Sequence, residues 1–327
     1  MKCVVTSLTM NSQMNEKMNP NSKILVVGSN GLVGSAIVRK LKGLGYLNIL
    51  TPKRNELNLI NQIEVRDYFL KNKIDYVFDA AAKVGGINAN NTYPGEFIYE
   101  NIMIQTNLIH EAYLSGVKKF VFLGSVCIYP KFAPVPVKET SLMTDHLEPT
   151  NDAYAVAKIS GIKMLEAYHK QYGFKSTCLM PCNIYGPNDN FHPENGHVIP
   201  SMITKFHRQT DEVVFWGDGS PLREFIHCDD LADAIVFSMN NCLDDATLYN
   251  IGSGYNISIA DLCKKIAAIV NYSGKIKWNT DMPNGTPNRP LDSSKFYSLG
   301  WKPKINLTEG IRDTYNWYCE KTYTQSR

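Results

Sequence analysis

The feature that most constrains this chain is a glycine turn set between a strand pattern and a helix pattern. Lys23-Ile-Leu-Val-Val27 is continuously aliphatic after its first residue, as a strand buried on both faces has to be. It runs directly into Gly28-Ser-Asn-Gly31-Leu-Val-Gly34, and from Gly31 to Leu44 the apolar residues fall at helical spacing. Glycines there let the turn tighten and let backbone approach a pyrophosphate, while a helix N-terminus supplies free N–H groups and a positive dipole. Without the strand and helix around them these glycines would mean little. In that frame they commit the chain to a βαβ unit, and through it to a parallel sheet.

The alternation continues down the chain. Leu47–Thr51, Tyr76–Ala80, Lys119–Gly124 and Ser176–Met180 read as strands, and residues 63–70, 95–115 and 153–172 as helices. Right-handed crossovers then give an α/β fold, a Rossmann-type doubly wound parallel sheet over residues 23–180. Past Pro181 the alternation loosens, with strand-like Glu212–Trp216 and Leu248–Ile251, helical Leu231–Asn240 and Ile259–Val270, and a Pro-rich loop from Asn279 to Pro290. Ser258 and Asp261 make a capping-box pattern for the 259–270 helix. Residues 181–327 are expected to form a smaller α/β substrate lobe, partly interleaved with the first. Residues 1–22 are rich in Met, Asn, Ser and Lys and lack the apolar core of a signal peptide, so a disordered extension is expected there.

Composition excludes several classes of partner. The net charge is only +3, too small for a global field toward nucleic acid or an anionic membrane. No apolar run approaches the length of a membrane-spanning helix. The eight Cys include no CxxC pair and show neither zinc spacing nor a disulfide framework, which points to a reducing, cytoplasmic setting with no metal.

Two basic residues bear on the cofactor. A chain that binds NAD would carry an acidic residue about 20 positions past the glycines, bonded to the ribose 2′-hydroxyl. Here the end of the second strand reads Thr51-Pro-Lys53-Arg54-Asn55. Lys53 and Arg54 suit a 2′-phosphate, so NADP(H) is expected, although a solvated basic turn would read the same way.

Chemistry is suggested by Tyr154-Ala-Val-Ala-Lys158, a phenol and an ammonium four apart on one helix face. A cation beside the phenol would lower its pKa and ready it for proton transfer. Ser125 stands just past the strand 119–124, at the carboxyl edge where doubly wound sheets hold ligands. Cys127 lies two residues on, and if the chain stays extended both side chains point one way. Its thiol could act as a carbon-acid base or be a buried structural Cys. His197 follows in the loop 185–200, titrates near neutrality and could be the partner acid, with His192 as a competitor.

With these elements in register, Ser125, Tyr154 and Lys158 resemble the triad of the extended short-chain dehydrogenase/reductases. The segments Ala81-Ala-Lys-Val-Gly-Gly-Ile87, Asn90-Asn-Thr-Tyr-Pro94, Ser125-Val-Cys-Ile-Tyr-Pro130, Tyr185-Gly-Pro-Asn-Asp-Asn-Phe-His192 and His197-Val-Ile-Pro200 closely resemble the GDP-L-fucose synthase family. The likeness runs from about Lys23 to Trp317. It implies NADPH as reductant and a GDP-linked 4-keto-6-deoxy sugar as substrate, epimerised at C3 and C5 and reduced at C4. It further implies that Ser125, Tyr154 and Lys158 serve the reduction and that Cys127 and His197 serve the epimerisations. The cofactor would meet Gly28, Asn30, Gly31, Leu32, Val33, Gly34, Lys53, Arg54, Ala81 and Lys158. The GDP side would meet Lys205, Trp216, Arg223 and Arg289, with Arg suited to bidentate phosphate contacts.

The sequence departs from the family at Asn30, where a basic residue is usual, and at Lys205, where an Arg is. Related reductases imply a homodimer through the two long helices. Other readings are a nucleotide-sugar 4-epimerase or 4,6-dehydratase, a non-catalytic NADP sensor, and a Cys–His hydrolase. Val126-Cys127 argues against the dehydratase, and Tyr154 with Lys158 against the sensor. The hydrolase leaves the glycine turn unexplained.

Overall fold

Four of the strand-forming runs are buried on both sides, and that alone requires helices on each face of the sheet they make. The computed structural model describes residues 17–193, 196–282 and 289–325. Its first half runs β1 (Lys23–Val27), α1 (Leu32–Gly43), β2 (Asn48–Leu50), α2 (Gln62–Asn72), β3 (Tyr76–Asp79), α3 (Ile87–Thr92), α4 (Pro94–Leu114), β4 (Lys119–Leu123), α5 (Asp152–Tyr172) and β5 (Ser176–Pro181). The second half runs β6 (Asn183–Tyr185), α6 (Val198–His207), β7 (Glu212–Trp216), β8 (Leu222–His227), α7 (Cys228–Asn241), β9 (Asp245–Ile251), β10 (Asn256–Ser258), α8 (Ile259–Val270), β11 (Lys275–Asn279), α9 (Ser294–Tyr297) and α10 (Leu307–Gln325).

Six parallel strands stand in the order β2-β1-β3-β4-β5-β9, a doubly wound α/β sheet. Helices α1 and α7 pack together, and α2, α4 and α5 form a second helical layer. The last strand of the sheet, β9, and its neighbour α7 come from the second half of the chain. Leu231, Ala232 and Ile235 of α7 join the same apolar core as Ile24, Phe78 and Phe122. A second core gathers Ile199, Ile203, Phe206, Phe215, Leu262, Ile266 and Ile311 around the β10-β8-β6 and β11-β7 sheets.

Local signals explain the boundaries. Asn61 caps α2 by accepting from the N–H groups of Ile63 and Glu64, and Ser258 caps α8 by accepting from Asp261 N at 3.0 Å. The Ser258 hydroxyl donates to Asp261 Oδ2 at 2.8 Å, which closes the box expected there.

Three expectations change. The extension expected over residues 1–22 lies mostly outside the described residues, but 17–22 belong to the fold. Met18 is buried, its N–H donates to Asn240 Oδ1 at 3.0 Å, and Pro20 O accepts from Leu47 N. The loop read through Pro200 ends at His197, because Val198-Ile-Pro200 is the first turn of α6. A proline is tolerated there, where its missing N–H has no helical partner to lose. The Pro-rich loop keeps only Asn279–Met282 and Arg289–Pro290 inside the described residues, and Asn279 closes β11. Among the described residues no helix is long and apolar enough to cross a membrane.

Candidate active site

The glycine turn is a tight structural object before it is a ligand site. Gly28 has φ +71°, and a Cβ there would stand 2.5 Å from the Ala80 carbonyl oxygen at the end of β3. A Cβ on Gly34 would stand 2.1 Å from Gly28 O, so this glycine brings α1 against the turn. A Cβ on Gly31 would meet only Gly28 O, at 3.4 Å, and that side of the turn is otherwise open. No side chain caps α1 and no acidic residue stands in its first turn. Leu32 and Val33 are half-buried beneath the turn, Asn30 is exposed, and Ala81 N donates to Asp79 Oδ1 at 3.2 Å. Lys53 and Arg54 lie exposed after β2, and Arg54 reaches Glu100 of α4 only at 3.8 Å. An uncapped, acid-free helix start with open backbone over Gly31 and two exposed cations past β2 fits a dinucleotide phosphate chain with a 2′-phosphate.

Ser125, Cys127 and Tyr154 are brought together, but not by extended chain. Ser125 is extended (φ −155°, ψ 150°), and residues Val126–Ile128 then wind into a single 3₁₀ turn that the Ser125 hydroxyl caps, accepting from Cys127 N at 3.3 Å. The cap, rather than strand periodicity, keeps the thiol beside the hydroxyl. Asn151 Nδ2 donates to Cys127 Sγ at 3.3 Å. Burial pushes the Cys127 thiol pKa up, while the Ser125 hydroxyl and the Arg289 charge pull it back.

The phenol differs from expectation. Burial raises the Tyr154 pKa, the neighbouring Cys127 and Asp79 add to that, and a hydrogen bond from Ser125 opposes it. Lys158 does not act as the lowering charge. Its ammonium donates to Leu123 O at 2.8 Å and lies 4.7 Å over the Phe122 ring. Burial lowers the Lys158 pKa and the carboxylate of Asp79 raises it.

His197 stands apart from that group; among the described residues no hydrogen bond or ion pair joins it to Cys127 or Tyr154. Its Nδ1 lies 2.9 Å from Asp189 Oδ1, and that contact holds its pKa above the ordinary histidine value, against burial. The His197 side chain is 44% exposed and the Asp189 carboxylate only 2%, so the ring is anchored from beneath and open above. His192 is exposed on the same loop. Arg223 on β8 and Arg289 are close enough for each charge to act on the other, since burial and then Arg289 lower the Arg223 pKa. Arg289 donates to the carbonyls of Tyr129 and Pro130 at 2.7 and 2.9 Å, which ties it to the turn after Cys127. Lys205, in the last turn of α6, lies 5.2 Å over the Phe215 ring, and Trp216 at the end of β7 is exposed. Two converging guanidiniums suit a diphosphate.

The NAD dependent epimerase/dehydratase family matches residues 24–252. GDP-L-fucose synthase 1 of Arabidopsis thaliana is 51% identical over 95% of this chain and 98% of its own length. GDP-L-fucose synthase of Escherichia coli strain K12 is 45% identical over 91% of this chain and 97% of its own. The chain belongs to the NAD dependent epimerase/dehydratase family, among its GDP-L-fucose synthases. Of solved structures, MlghC, a GDP-mannoheptose C4 reductase from Campylobacter jejuni with NADP bound, superposes with a TM-score of 0.85 at 38% identity, covering 92% of this chain and 99% of that one.

Within this GDP-L-fucose synthase family frame, four residues at the site were not singled out from sequence. Asp79 ends β3 fully buried, Asn151 holds the thiol, and Asp189 holds the imidazole. Glu224, buried on β8, accepts from Gly254 N and Leu291 N at 2.8 and 3.1 Å and so anchors the chain just after Arg289. Asn151 and Asp189 had a local signal, since each lies close in sequence to a singled-out residue. Asp79 and Glu224 lie as close to Ala81 and Arg223, and each is also a carboxylate inside a strand run, which is itself unusual.

Among the described residues, His227, Cys228 and Asp229 hold ligand-type atoms within 4.8 Å of one another. Arg39 Nη2 already sits 2.5 Å from Asp229 Oδ1 and 3.7 Å from Cys228 Sγ, so a guanidinium takes the place of a cation there.

Proposed function

We propose that this chain converts GDP-4-keto-6-deoxy-D-mannose to GDP-L-fucose, inverting C3 and C5 and reducing C4, with NADP(H) as cofactor. The observation that carries the reading is a thiol, Cys127, set in the same hydrogen-bonded turn as the reductase Ser125 and beside Tyr154. A simple reductase has no use for a carbon-acid base at that point.

The 4-keto group acidifies the hydrogens at C3 and C5. Cys127 as thiolate takes a proton from one face, and His197, whose proton Asp189 holds more tightly than usual, returns one to the other, inverting each carbon in turn. Asn151 and Arg289 favour the thiolate in a setting that otherwise opposes it. When bound, NADPH supplies the hydride that C4 accepts. Tyr154 delivers the proton to O4, and its raised pKa keeps it protonated and able to donate at neutral pH. Ser125 would hold that oxygen, and Lys158 would hold the nicotinamide ribose. Gly28, Asn30, Gly31, Leu32, Val33, Gly34 and Ala81 would hold the cofactor's phosphates and ribose, and Lys53 and Arg54 would hold its 2′-phosphate. Arg223, Arg289, Lys205 and Trp216 face the GDP.

Residues 23–180 serve as the cofactor domain and 181–327 as the substrate lobe, with β9 and α7 returning to the first. The enzyme works in the cytoplasm as a homodimer. Exposed Tyr99, Leu114, Val156 and Tyr172 on α4 and α5 support an interface through those helices. Incubation with NADPH and the ketosugar, with the product identified by NMR, tests the reading. Formation of GDP-L-fucose is expected, and an unchanged sugar with no NADPH consumed would overturn it.

A further inference from the structure

Asp79 is a carboxylate inside a strand core. It ends β3, is 1% exposed, and uses Oδ1 to accept from Ala81 N at 3.2 Å. Its Oδ2 is buried with no hydrogen-bond partner. In the parallel register Asp79 is paired with Phe122 of β4, and paired residues on neighbouring strands share a face of the sheet. The Phe122 ring is the one under the Lys158 ammonium, 4.7 Å away. It is also the ring that a Cβ on Gly161 of α5 would strike at 2.8 Å, so α5 lies directly on this face. The carboxylate and the ammonium are therefore sealed together beneath α5.

We propose that Asp79 is a positioning residue for Lys158, the buried counter-charge that keeps its ammonium protonated and aimed at the cofactor's ribose side of the sheet. This inference rests on the reductase reading above. Lys158 donates to Leu123 O, but a neutral carbonyl does not offset the cost of burying a charge; a carboxylate does.

The surroundings leave few other groups for that task. On β4 the Lys158 ammonium meets the Leu123 carbonyl and the Phe122 ring, neither of which is charged. On its own helix the titratable group one turn before it is Tyr154, with Cys127 beside that phenol on the 3₁₀ turn after β4, and burial works against a negative charge on either. From α4, Gln105 is neutral and donates to the Ala157 carbonyl, and Glu96 and Glu100 are taken up by Lys83. Among the described residues Asp79 is the carboxylate whose charge acts on Lys158, and Lys158 the cation whose charge acts on Asp79. Each member of the pair would be costly alone. Together they hold the ammonium in place beneath α5, one helical turn from the Tyr154 phenol.

Asp79→Asn removes the charge and keeps the shape. The test begins without cofactor or substrate, on protein with ¹³C at the lysine ε-carbons. The Lys158 resonance, assigned by its loss in Lys158→Met, is titrated in parent and Asp79→Asn. The midpoint should fall by at least one pH unit in the variant, and an unmoved midpoint overturns the proposal. The second arm is the pH profile of NADPH oxidation by the holoenzyme with ketosugar. The alkaline limb of kcat should move to lower pH in Asp79→Asn, giving a loss of tenfold or more at pH 8.5 with KM for the ketosugar unchanged.

A uniform loss at all pH values, or a KM change alone, would mean a merely structural role and would overturn the proposal. Should Asp79→Asn fold poorly, Asp79→Ser removes the same charge with less bulk and takes the same two measurements. The NMR arm can fail while the parent still makes GDP-L-fucose. The parent can equally lack that activity while the NMR shift is seen, so the two readings fail separately.

Discussion

A buried carboxylate kept for its charge should cost stability, and Asp79 allows that cost to be worked out. Burial raises its pKa from the usual 3.8 to about 6, with Lys158 and the Ala81 N–H offsetting part of the rise. A folded-state pKa above the unfolded value means that the native protein holds this proton more tightly. The contribution to stability is then present below pH 4 and is lost as the pH climbs through about 6. A rise from 3.8 to about 6 corresponds to about 3 kcal/mol, fully developed by neutral pH. Asp79→Asn never ionises and escapes the loss.

The variant should therefore gain on the parent as the pH rises, with the gap widening by about 1 kcal/mol between pH 5 and pH 7.5, where the titration finishes. The assay is urea unfolding followed by tryptophan fluorescence on both proteins at each pH, compared as differences so that other titrating groups cancel. A gap that is constant across the range, or that narrows toward pH 7.5, would refute the reasoning.

Four further outcomes follow from the site. NADPH should be preferred to NADH, and Arg54→Ser should erode the preference while leaving NADH turnover unchanged, as steady-state kinetics with both cofactors would show. Tyr154→Phe should bind NADPH normally, by fluorescence titration, yet lose on the order of 100- to 10,000-fold in its oxidation, the range for removing a positioned acid. In deuterated water the parent should place solvent deuterium at C3 and C5, read by product NMR, while Cys127→Ser should lose that incorporation and His197→Asn should show exchange without inversion. Gly34→Ala should lower the melting temperature and abolish NADPH binding together, because its Cβ would lie 2.1 Å from Gly28 O.

The first half of the fold was legible because strand and helix periods there are long and alternate cleanly, so β1 to β5 and α1, α4 and α5 sit within a few residues of where the pattern places them. Short elements were not. β6 and β10 have three residues each, too few for a period to show, and α6 hides behind Pro200. At the site, Tyr154 and Lys158 were legible because one helix carries both. The direction of the Tyr154 pKa was not, because it depends on where the Lys158 ammonium goes, and that is decided by Leu123 and Phe122 on a different strand. Ser125 and Cys127 were placed side by side correctly for a reason that fails, since a capped 3₁₀ turn replaces the extended chain.

What the sequence could not reveal has a common form. Each proposed proton carrier or the cation beside it leans on a polar side chain: Lys158 on Asp79, His197 on Asp189, Cys127 on Asn151. In all three supports one oxygen is buried with no hydrogen-bond partner, Oδ2 in the two aspartates and Oδ1 in the asparagine. An unsatisfied buried oxygen costs on the order of 1–3 kcal/mol, and folded proteins hold few of them. What sets these three apart is the partner each one faces: an ammonium, an imidazole and a thiol that the proposed chemistry uses. Asp189→Asn extends the reasoning beyond Asp79. It should drop the His197 pKa toward the ordinary value, seen as a lower titration midpoint of its ring Cε1 proton by NMR, and slow epimerisation most above neutrality while leaving NADPH affinity intact. An unmoved titration would show that the imidazole is set by something other than Asp189.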